Sequence, residues 1–410
     1  MRKAVKTRGR CGCIPLCVRS NAEGAGGNGT VAGPMAARKT IVMQDFLHRI
    51  TAGVPARVFG ATFALGLLGG AVFLRIGVPL GMLIGSLVCV ATAAAAGVRF
   101  FGALPAVPMR WRDVLVPVIG VAIGASVPAD PLAQATGWWI TLLALLAFVP
   151  LVHWAGYLAY RRMGRLDPVT AFYAAMPGGF IEALSMGEKA GAEPQMLVML
   201  QFTRIVLCII SVPLAFALVT GQAVGSGSGL VLPGQEVPLG ARDVLTLVAL
   251  AASGWWVAAR LRFPAPVLIG PLALSGFAHA MGWIHAAPPD WAILLTQWVI
   301  GTSLGTRFAG MARDRLWLAL RLATLYVVAA MGLAVALGLA LAGPVGEPVP
   351  AVILAFAPGG ISEMSLVALS LQMGAVYVTL HHLLRIVLAV LFARAGASLL
   401  PAMEGRQGPG

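Results

Sequence analysis

Met176-Pro177-Gly178-Gly179-Phe180-Ile181-Glu182 interrupts an apolar stretch at 169–187, and Ala357-Pro358-Gly359-Gly360-Ile361-Ser362-Glu363 interrupts another at 350–371. Proline removes a backbone N–H and clashes with the preceding turn, while paired glycines accept conformations that other residues resist. Broken backbone at membrane depth survives only where protein or water satisfies the freed groups. The two stretches therefore predict broken, re-entrant helices.

Composition identifies the solvent around them. Of 410 residues, 59% are hydrophobic and 11% charged, against about 25% charged in soluble domains. Mean hydropathy is +0.87. Long apolar segments run at 58–74, 78–98, 135–160 and 195–220, then at 244–260, 264–284, 316–342 and 375–400. Most approach the roughly 20 residues needed to cross about 30 Å of hydrocarbon. A bilayer is the solvent that fits.

The chain reads as one unit made twice. At an offset of 185, Gly69, Arg75, Pro79 and Ile84-Gly85 meet Gly254, Arg260, Pro264 and Ile269-Gly270. At an offset of 181, Ile119-Gly120 and Gly124 meet Ile300-Gly301 and Gly305, in the short segments 114–128 and 292–306. The same offset superimposes the two Pro-Gly-Gly-x-x-Glu breaks, and then Arg204-Ile205-Val206-Leu207 on Arg385-Ile386-Val387-Leu388. Apolar residues match by accident, but proline, glycine, glutamate and arginine together rarely do. The divisions that follow are a basic tail at 1–57, repeats at 58–220 and 243–400, a Gly/Ser/Pro linker at 221–242 and a tail at 401–410.

Net charge is +14, and residues 1–57 carry ten Lys/Arg against Glu23 and Asp45. With no helix-turn-helix or aromatic-interleaved basic pattern, this is a cytoplasmic tail rather than a nucleic-acid arm. Its Gly-rich part, Gly24–Gly33, predicts disorder. Basic loops at 99–112, 161–165, 260–262 and 307–315 are expected inside. The loop at 128–134, with Asp130 and no Lys/Arg, and the uncharged-to-acidic loops at 285–291 and 343–350 are expected outside. These agree only if the halves are inverted, and Arg75 alone dissents. The expected fold is all-α: a polytopic membrane protein with about ten transmembrane helices, re-entrant segments and both termini cytoplasmic.

Four ionisable residues sit in these apolar surroundings. Glu182 and Glu363 follow the breaks, and Arg204 and Arg385 each lie 22 residues further on. A charge at the centre of a membrane helix costs about 2.5–3.5 kcal/mol on insertion scales, so such residues face an interior and find partners. Matched breaks in two halves point to a transporter's central site. The candidate cluster is Pro177, Gly178, Gly179, Glu182 and Arg204 with Pro358, Gly359, Gly360, Glu363 and Arg385. Glu–Arg bridges that fix the re-entrant segments are one reading; arginines binding an anion while glutamates gate or carry protons are the other.

Other features are plainer. Gly120/Gly124 and Gly301/Gly305 have the spacing of close helix packing. Cys11, Cys13 and Cys17 cluster in the tail without a fourth ligand, Cys89 and Cys208 read as packing residues, and adjacent His381 and His382 point about 100° apart on a helix. No cofactor or metal is expected. Trp138-Trp139 and Trp255-Trp256 read as interfacial anchors.

The two break motifs and the Arg-Ile-Val-Leu runs resemble the duplicated bacterial AbrB-type membrane protein family over roughly 58–400. The resemblance implies a bacterial inner-membrane location and a two-repeat domain. Members carry the labels ammonia monooxygenase or regulator, and the family is distinct from the soluble DNA-binding protein that shares the name. The oxygenase label implies a metal-ligand cluster that these residues do not supply, so no enzymatic activity is expected. A secondary transporter or exporter of a small solute, with an anion as one option, is the first expectation. A membrane-embedded regulator acting indirectly on expression is the second. Expected partners are the lipid bilayer, a solute of unspecified identity and, as an option, further copies of the chain, with no direct nucleic-acid contact.

Overall fold

The structure, a computed structural model, describes residues 51–127, 135–220 and 234–398. Within them lie fourteen α-helices and, apart from an isolated bridge between Phe100 and Ala103, no β-structure. The three tail cysteines, Asp130 and the Gly/Ser run at 225–229 fall outside the described residues.

Six helices pack as one group. Helix α1 (Ala56–Arg75) lies on α2 (Gly81–Ala95), and α8 (Ala241–Arg260) lies on α9 (Pro266–Ala280). Glycines set both contacts: a Cβ added at Gly69 would stand 2.5 Å from the Gly85 carbonyl oxygen, and one at Gly254 2.5 Å from that of Gly270. Backbones approach this closely only over small residues. Helix α3 (Arg110–Ala125) crosses to α9, and α10 (Asp290–Gly305) crosses to α2. Gly120 there faces the Leu268 carbonyl and Gly124 faces Ser275; Gly301 faces the Leu83 carbonyl and Gly305 faces Val90. Residues paired by offset in the sequence thus make paired contacts, each in the opposite half.

The second group surrounds the breaks. Its long members are α4 (Trp139–Arg162), α7 (Pro194–Thr220), α11 (Arg313–Val345) and α14 (Ala375–Ala397). Between them lie α5 (Pro168–Ala174) and α6 (Phe180–Ala190) from the first half, and α12 (Val349–Phe356) and α13 (Ile361–Ser370) from the second. Asp167 starts α5 by accepting the Thr170 amide at 2.8 Å, with Pro168 at the first helical position. Aromatic pairs such as Phe148 with Phe356, 5.1 Å between ring centroids, fill the space behind the breaks.

Among the described residues, five helices are long and apolar enough to cross a membrane: α1, α4, α7 as far as Leu218, α11 and α14. The apolar runs 78–98 and 264–284 form shorter helices than their hydropathy predicts, 15 residues each, or about 22 Å. Leu80 and Ala265, each next to a matched proline, take left-handed conformations that delay the helix start, and Gly97 and Gly282 at positive φ close the other end. Trp138 also departs from expectation. It is buried rather than interfacial, meeting Tyr377 edge-to-face at 5.3 Å between ring centroids and donating Nε1–H to Glu347 at 3.0 Å.

Candidate functional site at two broken helices

Both predicted breaks form. Chain direction is interrupted between α5 and α6 at Ala175–Gly179, and between α12 and α13 at Ala357–Gly360. The glycines are used differently. Gly179 is left-handed at φ +71°, which a side chain would resist, whereas Gly360 is extended at φ −77°.

Every broken helix exposes carbonyls at its C-terminal end and N–H groups at its N-terminal end, with partial negative and positive charge respectively. The four charged residues match these ends. Arg204, on α7 and 2% exposed, donates from Nη1 to the Met176 carbonyl just past α5. Arg385, on α14 and 1% exposed, donates from Nη1 to the Ala357 carbonyl and from Nη2 to the Gly359 carbonyl at 2.6 Å. Glu182 and Glu363 occupy the first turns of α6 and α13. The predicted Glu–Arg bridges therefore do not form. Each charge is placed against a helix terminus, and hydropathy patterning carries no signal for that.

The arginines instead converge on the first break, where Arg204 holds the Met176 carbonyl and Arg385 lies beside Gly178. The Arg204 guanidinium carbon stands 5.7 Å from the centre of the Tyr326 ring. A Cβ added at Gly178 would stand 3.6 Å from Arg385 Nε, so the second half's arginine reaches the first half's break. Neither arginine has an ion-pair partner among the described residues, and Nε of each is buried without a hydrogen-bond acceptor. Two guanidinium groups thus face an interior that holds no carboxylate between them. An apolar groove of about 230 Å³ between α4 and α11 has Gly156, Tyr326 and Ala330 in its wall.

The glutamates part company. Glu363 is 2% exposed and pairs with Arg112 of α3 at 2.7 Å; the same Arg112 nitrogen donates to Ser362 at 2.9 Å. This ion pair joins the two helix groups. Glu182 is half-exposed and makes no ion pair among the described residues. Sequence reasoning missed Arg112, which sat in a stretch read only as a basic loop. It also missed His382, whose Nδ1 lies 3.0 Å from Arg385 Nη2. Only the three-residue spacing of His382 and Arg385 on one helix could have signalled the second. No group of His, Cys, Asp and Glu suited to a metal occurs among the described residues.

A family model described as transition state regulatory protein AbrB matches residues 91–400, a span that contains both breaks and all four charged residues. The uncharacterized protein YhjN of Bacillus subtilis (strain 168) is 24% identical over 367 residues, covering 84% of this chain and 93% of that protein. A protein of Escherichia coli (strain K12), named provisionally as regulator AbrB, is 23% identical over 261 residues, 62% of this chain and 71% of its own length.

Proposed function

The chain belongs to the AbrB family, and from that premise we propose that it is a secondary transporter or exporter of a small anion. The observation that carries the proposal is the meeting of two broken helices at two buried arginines that have no carboxylate partner. Discontinuous helices at the interface of two repeats are where transporters hold substrates. A buried cation without a counter-ion is costly, and an incoming anion supplies what the chain does not.

The architecture proposed with it is two inverted repeats, 58–220 and 243–400, joined by the linker 221–242. Each contributes about five crossings, and both termini lie on the cytoplasmic side of a bacterial inner membrane, with tails at 1–57 and 401–410. The reciprocal packing of Gly120 on Leu268 and Gly301 on Leu83 supports a two-fold relation. Alternating access is then movement of the group holding the breaks against the six-helix group, with Arg112–Glu363 as the contact that must yield.

Purified protein in proteoliposomes tests this with chloride, nitrate, acetate and lactate as probes. Saturable uptake that is lost in Arg204→Met and Arg385→Met is the expected result; equal uptake in empty vesicles sinks it. A second reading, a membrane-embedded regulator, is favoured by the name of the Escherichia coli relative. An effect on expression that survives loss of both arginines would support that reading instead.

A further inference from the structure

Resting on the reading above, we propose that the anion binds together with a proton, and that His382 carries the proton. The argument starts from what the two halves place at one position. The first half has Gln201, whose Nε2 donates to the Tyr173 and Ala174 carbonyls, both at 3.1 Å, and so pins the end of α5. At the 181 offset the second half has His382, with Nε2 2.9 Å from the Leu354 carbonyl, the counterpart of Tyr173. Both side chains hold the last turn of the first half-helix. Glutamine does so without titrating, and histidine is the side chain that changes charge near neutral pH.

The hydrogen bonds assign the proton positions. A carbonyl only accepts, so Nε2 of His382 carries hydrogen. A guanidinium only donates, so Nδ1, 3.0 Å from Arg385 Nη2, presents its lone pair. The imidazole is neutral while Arg385 points at it. Its charged and titratable surroundings are Arg385 and His381 on its own helix; beyond these, Arg204 of α7 shares the first break with Arg385, Tyr326 of α11 lies under Arg204, and Glu363 of α13 is turned to Arg112. α12 offers it only the Leu354 carbonyl. His381 is committed elsewhere, with Nδ1 2.8 Å from the Tyr377 carbonyl and Nε2 2.8 Å from Thr141 Oγ1.

An anion seated at the vacant Nε edges competes for Arg385. When Nη2 turns to the anion, Nδ1 is released and its lone pair takes up a proton supplied by the buffered bulk solution and relayed by water entering with the solute. One negative and one positive charge are added together, so the net charge of the site is unchanged. Either added alone changes it. By linkage, the proton favours the anion as much as the anion favours the proton.

Isothermal titration of the full-length protein in detergent, with chloride, nitrate, acetate and lactate, tests this in buffers of differing ionisation enthalpy. Wild type is expected to bind with proton uptake, seen as a buffer-dependent heat, and with affinity that falls by up to about tenfold per pH unit. His382→Gln, which installs the first half's residue, is expected to bind with a buffer-independent heat, and His381→Gln to behave as wild type. Binding by wild type with no proton uptake overturns the proposal, as does uptake that persists in His382→Gln. If His382→Gln does not yield monodisperse protein, the wild-type pH dependence decides alone, and a pH-independent affinity overturns the proposal. If none of the anions binds to wild type, the anion-transport reading falls and takes this one with it.

Discussion

The two breaks share a motif and an arginine cap but differ in how tightly they are held. In the second half Glu363 is buried and tied to Arg112 and Ser362, and Arg385 makes three hydrogen bonds, to two carbonyls and to His382. In the first half Glu182 has no ion pair among the described residues, and Arg204 reaches the Met176 carbonyl and lies over the Tyr326 ring. One substitution explains much of this. The position matching Arg112 is Ile293, so α10 has no cation to offer Glu182. A motif that occurs twice is thus held by an ion pair in the second half and, among the described residues, by none in the first.

Installing the first half's arrangement in the second should have the largest effect. Arg112→Ile leaves Glu363 buried and uncompensated, a loss on the order of 3–5 kcal/mol. Glu182→Gln, which removes a charge with no partner, should stay within about 0.5 kcal/mol. Thermal unfolding in detergent measures both, and adding Glu363→Gln to Arg112→Ile should recover most of the loss. Equal shifts for Arg112→Ile and Glu182→Gln would erase the asymmetry.

The arginines come next. Arg385→Met leaves the Gly359 carbonyl and a histidine nitrogen without their donor and takes one of two donors from the Ala357 carbonyl, which is expected to cost about 2–4 kcal/mol, while Arg204→Met leaves the Met176 carbonyl with the 3.4 Å bond from Gln201 Nε2 and should cost about 1–2 kcal/mol. A larger loss at Arg204 would mean that its place over Tyr326 matters more than the hydrogen-bond count. The glycines sharpen the same contrast at smaller scale. A Cβ at Gly178 finds its nearest neighbour, Ile386, at 3.4 Å, whereas one at Gly360 would stand 2.1 Å from Glu363 Oε2, a group held in place by Arg112. Gly178→Ala should therefore be nearly neutral and Gly360→Ala should cost about 1–3 kcal/mol.

Much of this was legible in the residues. Pro177-Gly178-Gly179 and Pro358-Gly359-Gly360 fixed where the helices break because proline and glycine act on their own backbone. Gly120 and Gly301 signalled close packing for the same local reason. The partners of the charges were not legible, because Arg112 and Glu363 are 251 residues apart and only tertiary packing joins them. Helix ends also act as counter-charges without leaving a mark in hydropathy, so Arg204 and Arg385 looked in need of carboxylates when carbonyls were waiting. The short α2 and α9 were missed because a left-handed Leu80 or Ala265 is set by context, not residue type.

The smallest expected effect concerns Glu347, another feature that only the second half has; its counterpart is the buried Leu166. The Glu347 carboxylate is half-buried between Trp138, whose Nε1–H it accepts at 3.0 Å, and the turn at Gly374. Burial lifts its carboxyl above the ordinary range, and the Trp138 hydrogen bond opposes part of that lift. The folded state therefore holds a proton here more tightly than the unfolded chain does. Its contribution to stability is complete below the ordinary carboxylate value and is lost as pH rises through the raised folded value. Glu347→Gln keeps the shape and removes the titration, so wild type minus variant should show stability falling between acid and neutral pH. Trp138→Phe removes the opposing bond and should deepen that fall. Melting temperatures of the three proteins across this pH range provide the check, with the other carboxylates cancelling in the difference. Superimposable pH profiles for wild type and Glu347→Gln would mean that the carboxylate is as well solvated folded as unfolded.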